Sequence, residues 1–167
     1  MHQLLGQSLD VATLLLAALQ SGPVIAGVSP PAANKQAIEN MLIAWMGGDS
    51  TTFQSLLAEE VQWTITGNSI VAGTTHGRAE LMSKVLGPLW ARFAKADAPL
   101  RPHRIAGLYA DGDTVIAQFD SAGTANDGKV YANSYLWILT MRNGKIVKAI
   151  AFFDSIAVNE LWQRVTP

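Results

Sequence analysis

The stretch that decides the fold is VYANSYLWILTMRNGKIVKAIAFFDS, residues 130–155. At its centre Asn143-Gly144 accepts the positive φ angles of a two-residue hairpin turn, so the runs on either side read as antiparallel neighbours. Successive side chains of a strand point to opposite faces. One face of the first run carries Tyr131, Asn133, Tyr135, Trp137, Leu139 and Met141; the other carries Val130, Ala132, Ser134, Leu136, Ile138 and Thr140. Neither face is plainly solvated. Helices packed on one side of an antiparallel sheet supply a single cover, so the second apolar face calls for another copy of the chain. A homodimer centred on Leu136 and Ile138 is expected. The second run ends at Asp154, a carboxylate among apolar and aromatic neighbours, which needs a partner, a hydrogen bond or a proton to be tolerated there.

Working outward, HRIAGLYA (103–110) and TVIAQFDSAG (114–123) are two further strand-like runs, and turns at Asp111-Gly112 and Asp127-Gly128 join them into a meander. Everything after Pro102 reads as sheet, closed by a short helix in AVNELWQRV (157–165). Upstream the period changes. Ile38, Met41, Leu42, Trp45 and Met46 recur at helical spacing until Gly47-Gly48, and Asp49 and Ser50 can cap a second short helix through Leu57. VQWTI (61–65) alternates like a strand and TGNSIVAG (66–73) turns. A third helix, Arg78 to Lys95, stripes Leu81, Val85, Leu86, Leu89, Trp90 and Phe93 along one side, with a kink expected at Gly87-Pro88. Helices first and a strand meander afterwards mean an α+β fold: three N-terminal helices on a curved, mostly antiparallel sheet.

At 167 residues the chain suits one domain, expected over 31–167. Twelve basic against 13 acidic residues give a net charge of −1, with none of the basic field that captures nucleic acid. The absence of cysteine removes disulfides and thiolate chemistry, and histidines 2, 76 and 103 lack metal-site spacing. No cofactor is called for. Residues 1–30 form an apolar leader: VATLLLAAL (11–19) is too short to span a bilayer and suits either an export signal or an extra helix. A cytoplasmic and an exported location therefore stay equally open.

The order of elements resembles the ketosteroid-isomerase-like and SnoaL-like members of the nuclear transport factor 2 superfamily. Three patterns carry the likeness: VQWTITGNSIVAGTTHGRAEL (61–81), GKVYANSYLW (128–137) and NGKIVKAIAFFDSIAV (143–158). The resemblance covers about 130 residues, Asn34 to Trp162. It implies a cystatin-like α+β barrel, a conical and mostly apolar pocket for a small apolar ligand, and dimers through the outer sheet face. It further implies that Asp154, preceded by Phe152 and Phe153, lines the pocket and transfers protons, as in limonene-epoxide-hydrolase-like and polyketide-cyclase members. Gln118-Phe119-Asp120 stands where such hydrolases carry Arg-x-Asp, so the arginine is missing. Trp63 and Ile65 replace their tyrosine and asparagine, and Trp63 or Thr64 falls where ketosteroid isomerases carry a base.

The expected site thus joins Asp154 and Asp120 as acid and base to Asn133, Tyr135, Trp63, Gln118 and Trp137 as substrate contacts. Its chemistry would be cofactor-free isomerisation, cyclisation or epoxide opening, and the alternative is a binding domain without turnover. Each residue also has a plainer role. Asp154 can cap the last helix, Asp120 can sit at a wet strand end, Tyr135 can hold a structural hydrogen bond, and the aromatic residues can be core. His76 and His103 read as surface or capping residues rather than proton shuttles.

Overall fold

The computed structural model describes residues 30–94 and 97–167. The leader expected over 1–30 lies, but for Pro30, outside the described residues. Helix α1 (Pro30–Met46) buries Ile38, Met41, Leu42 and Trp45, one stripe at spacings of three and four. It stops where Gly48 takes a φ of 102°, a conformation that a Cβ would oppose. The Gly48 amide then donates to the Trp45 carbonyl at 2.9 Å and the Asp49 amide to the Ala44 carbonyl at 3.0 Å, satisfying the helix end. Asp49 turns next to α2 (Thr51–Leu56), accepting from the Thr51 amide at 2.9 Å.

Strand β1 (Leu57–Ile65) and the short β2 (Gly73–His76) lead to α3 (Arg78–Leu81), a π-helical turn (Met82–Leu86) and α4 (Gly87–Ala91). The expected kink takes this π form for a physical reason. Pro88 has no amide proton and its ring crowds the carbonyl one turn back, so the chain widens and the Gly87 amide reaches five residues back to Met82. A Cβ on Gly87 would lie 2.7 Å from the Met82 oxygen, which reserves the position for glycine.

Four long strands follow: β3 (Arg101–Asp111), β4 (Thr114–Thr124), β5 (Val130–Arg142) and β6 (Lys145–Phe153), then α5 (Ser155–Arg164). The meander is antiparallel as expected, and Asn143 and Gly144 turn it with φ angles of 50° and 70°. The sheet runs β2-β1-β6-β5-β4-β3, with β1 parallel to β6. Strand β2 was not foreseen, because Gly73-Thr74-Thr75-His76 has no apolar alternation and is held by its pairing to β1 alone. The architecture is α+β, with helices on the concave side of a curved sheet.

The β5–β6 hairpin contains the decisive irregularity. Next to the turn Arg142 pairs with Lys145 and Met141 with Ile146, but beyond it Thr140 pairs with Lys148 and Leu139 with Ala149. One extra residue, Val147, is accommodated as a β-bulge, and an insertion of one residue exchanges the two faces of every position beyond it. Hence Ala149, Ala151 and Phe153 point inward with Leu139, Trp137 and Tyr135, while Ile150, Phe152 and Asp154 are turned outward.

Inside the sheet the rings of Trp45, Phe53, Trp63, Phe119, Tyr135 and Trp137 fill the space beneath the helices. Trp45 stacks on Phe53 at 5.5 Å, and Trp137 meets Trp63 edge-on at 5.0 Å and Phe119 at 4.8 Å. These are attractive ring geometries in addition to the apolar area they bury. The chain before β3 crosses this interior at Gly123, where a Cβ would come within 2.7 Å of the Leu100 backbone.

Candidate functional site

The interior is not packed solid. A hollow of about 50 Å³ remains between the inner sheet face and the helices, room for roughly one or two water molecules. The sheet supplies Trp63, Ile65, Phe119, Tyr135, Trp137 and Phe153; above them stand Trp45 of α1, Val85 and Leu86 of the π-turn, Leu89 of α4, and Leu100. Among the described residues the only hydroxyls in this wall are those of Ser121 and Tyr135, beside the indole N–H groups of Trp45, Trp63 and Trp137. No carboxylate, histidine, lysine or arginine lines it among the described residues.

One end of the hollow is anchored by a buried relay. The Tyr135 hydroxyl lies 3.0 Å from that of Tyr131, and the Asn133 amide donates to the Tyr131 oxygen at 3.0 Å. That same amide nitrogen donates to the Asp154 carbonyl at 3.0 Å, while the Asp154 amide donates to the Asn133 Oδ1 at 2.9 Å. Strand β6 has ended by this point, and the Asn133 side chain takes over the main-chain pairing of a missing strand residue. Burial pushes both phenols upward, Tyr135 well above the ordinary value, with proximity to Tyr131 adding to it. Tyr135 is therefore a neutral hydroxyl at any physiological pH, able to donate or accept but not to serve as a phenolate.

The two carboxylates expected in this pocket are elsewhere. Asp154 is exposed and caps α5, its Oδ1 accepting from the Ile156 amide at 2.9 Å. This corrects the inward orientation expected of it; the bulge at Val147 turned it to the outer face. Asp120 also lies on the outer face, accepting from the Ser134 hydroxyl at 2.8 Å and from Arg104 at 2.6 Å. The Ser134 hydrogen bond first, and Arg104 second, hold its carboxyl below the usual range. Gln118, likewise expected to touch substrate, is exposed on that face. Asp120, Asp154 and His103 share an open depression of about 460 Å³ with Ser121, Ala132, Asn133 and Ser134; Ser121 belongs to the hollow as well.

Of the expected contacts, Tyr135, Trp63 and Trp137 do line the hollow, and Asn133 supports it from behind. His76 is exposed; its main-chain amide donates to Glu80 at 2.6 Å ahead of α3. Ser121 and Tyr131 were missed as site members. Both could have been found by parity, since Tyr131 is on the Tyr135 side of β5 and Ser121 on the Phe119 side of β4. Among the described residues no cluster of His, Asp or Glu fit to hold a metal ion occurs, and no helix is long and apolar enough to cross a membrane.

A family model described as a SnoaL-like domain matches residues 38–149. The chain belongs to the SnoaL-like domain family. Solved structures of the same superfamily share its fold. A protein of cystatin-like fold from Xanthomonas campestris is 25% identical, with a TM-score of 0.63 over 77% of this chain and 97% of that one. A candidate SnoaL-like polyketide cyclase from Jannaschia sp. CCS1 is 15% identical, with a TM-score of 0.60 over 78% of this chain and 92% of that one. A candidate isomerase from Bacillus subtilis is 16% identical at TM-score 0.60, covering 81% of this chain and 96% of that one. Among curated proteins, none matches the sequence. This SnoaL-like domain thus has the nuclear transport factor 2-like fold that its strand order implied, and these distant likenesses speak for the fold alone.

Two outcomes check these assignments. Asp154→Ala is expected to lose about 1 kcal/mol of stability in urea denaturation, the usual worth of a helix cap, while leaving ligand affinity in the hollow unchanged. Asp120 has a depressed folded pKa, so its contribution exists above the unfolded carboxylate value near 3.9 and fades as pH falls through the folded one. Wild type should be more stable than Asp120→Asn at pH 7, and the gap should close at pH 2–3.

Proposed function

We propose that this SnoaL-like domain is a binding module for a small, mainly apolar ring compound, held in the hollow with an oxygen function against Tyr135 and Ser121. The observation that carries this reading is the wall itself: aromatic and aliphatic side chains, two hydroxyls, and neither an acid nor a base to move a proton. Such a wall favours burial of apolar surface and sets orientation by a neutral hydrogen bond. At about 50 Å³ the hollow is smaller than a ring compound, so entry displaces side chains. Val85, Leu86 and Leu89 sit on and beside the π-turn, where the helical cover departs from α-helical bonding, and π-bulges recur at functional sites.

A second reading keeps the isomerase-type or cyclase-type chemistry of the family. The Tyr135–Tyr131–Asn133 relay favours it, because a hydroxyl backed by further donors can polarise a carbonyl. The hollow offers no base to accompany that donor, and we therefore place binding first.

Thermal shift with cyclohexanone, phenol and 2-naphthol tests the proposal. A ligand at a hundred times its Kd adds about 2.7 kcal/mol, enough to raise Tm by several degrees. Leu89→Trp, which fills the hollow, should abolish the rise. No shift with any compound at millimolar concentration rejects the binding reading, and conversion of a bound ketone, followed by NMR, selects the catalytic one.

We further propose that two copies pair through the outer sheet face. There Tyr109, Ile116, Ile138 and Ile150 stand opposite one another across β3, β4, β5 and β6, with Leu136 and Phe152 in the next row. Tyr109 and Phe152 are 62% and 41% exposed, and an apolar row of this kind gains by being covered. Light scattering at micromolar concentration should give a dimer mass for wild type and a monomer mass for Ile138→Lys. A monomeric wild type removes this proposal.

A further inference from the structure

Next to the inner hollow lies an outer chamber of about 220 Å³, open to solvent. Its wall is made of Trp45, Trp90, Phe93, Pro99, Leu100 and Arg101, completed by the turn at Gly48 and Ser50. Trp45 and Leu100 belong to both walls. They stand between the open chamber and the inner hollow. The combined room still falls below the roughly 300–1,000 Å³ of drug-sized sites, which restricts the occupant to a small molecule.

Arg101 gives this vestibule its chemistry. Among the described residues it is the only charged side chain in the wall. Its guanidinium lies over the turn that ends α1: a Cβ built on Gly48 would be 3.7 Å from Nη1. The carbonyl end of a 17-residue helix favours a cation at that place. The one carboxylate in the turn, Asp49, is taken up by Thr51 and Thr52. Among the described residues Arg101 has no ion pair, whereas Arg78, Arg104 and Arg164 each have a carboxylate. A guanidinium in the same chamber wall as three aromatic side chains, without an ion pair among the described residues, is suited to a planar carboxylate.

From this the geometry points to a ligand class: a small ring-bearing carboxylic acid, its carboxylate on Arg101 at the mouth and its ring between Trp45, Trp90 and Phe93, directed past Leu100 into the hollow. This deepens the proposed function and rests on it. An apolar ring enters the cavity, and Arg101 selects the acid over its uncharged counterpart.

Isothermal titration calorimetry with 2-naphthoate and 2-naphthamide, two probes of matched shape, tests it. Wild type should bind the acid about tenfold or more tightly than the amide, the usual scale for a hydrogen bond to a charged group, and the difference should shrink with added salt. Arg101→Gln should weaken the acid alone and bring it level with the amide. Arg101→Lys, which keeps the charge without the fork, should fall between. Leu89→Trp should weaken both probes. Equal binding of acid and amide to wild type, or a preference that survives Arg101→Gln, overturns the inference while leaving the apolar binding reading in place. Binding of neither probe overturns both. Should Arg101→Gln fail to fold, the wild-type pair and Arg101→Lys still decide.

Discussion

The structure depends on how Trp137 is surrounded. It lies at the middle of the inner sheet face, 5% exposed, and touches the rings of Trp45, Phe53, Trp63, Phe119 and Tyr135. These rings come from α1, α2, β1, β4 and β5, so a single indole ties the helical cover to three strands. Large aromatic side chains dominate core energetics because each removes much apolar area from water. Here they also set how much space is left. Rigid planar groups meeting edge to face do not close perfectly, and the small hollow is what remains.

Polar groups are divided by the sheet according to what each side can tolerate. The inner side holds neutral donors and acceptors whose bonds are made to one another: the two phenols, the Asn133 amide and the Asp154 main chain. The outer side holds ions, with Asp120 matched to Arg104 and Asp154 spent on a helix start. An ion moved inward would forfeit its hydration, and the fold avoids that cost. One exception is instructive. Arg92 is 6% exposed, yet its guanidinium is placed 4.0 Å over the Trp162 ring and donates to the Pro88 carbonyl at 2.7 Å, clamping the end of α4 to α5.

Much of this was legible in the sequence, and for identifiable reasons. Asn143-Gly144 fixed the hairpin, the spacing from Ile38 to Trp45 fixed α1, and the parity of β5 separated Tyr131, Asn133, Tyr135 and Trp137 from Leu136 and Ile138 as the structure does. What could not be read was how β5 and β6 align. Counting evenly from the turn sets Asp154 opposite Asn133 and therefore inside; the real ladder is out of step by one after Val147. A bulge of this kind arises from the packing of the whole sheet rather than from a local pattern. Strand β2 escaped notice for a related reason: its residues are shaped by a partner distant in the chain. The charge at Arg101 passed unremarked because nothing near it in sequence shows that it shares a chamber wall with Trp45, Trp90 and Phe93.

The irregularity at Val147 has a consequence for descent. Loss of that single codon would make the ladder regular while leaving Lys148 opposite Thr140, Ala149 opposite Leu139 and Phe153 opposite Tyr135, so the benzyl group stays in the chamber and the carboxyl group stays outside. A lineage with this architecture can therefore gain or shed one residue at this point and keep the same chamber wall, with no compensating substitution anywhere else.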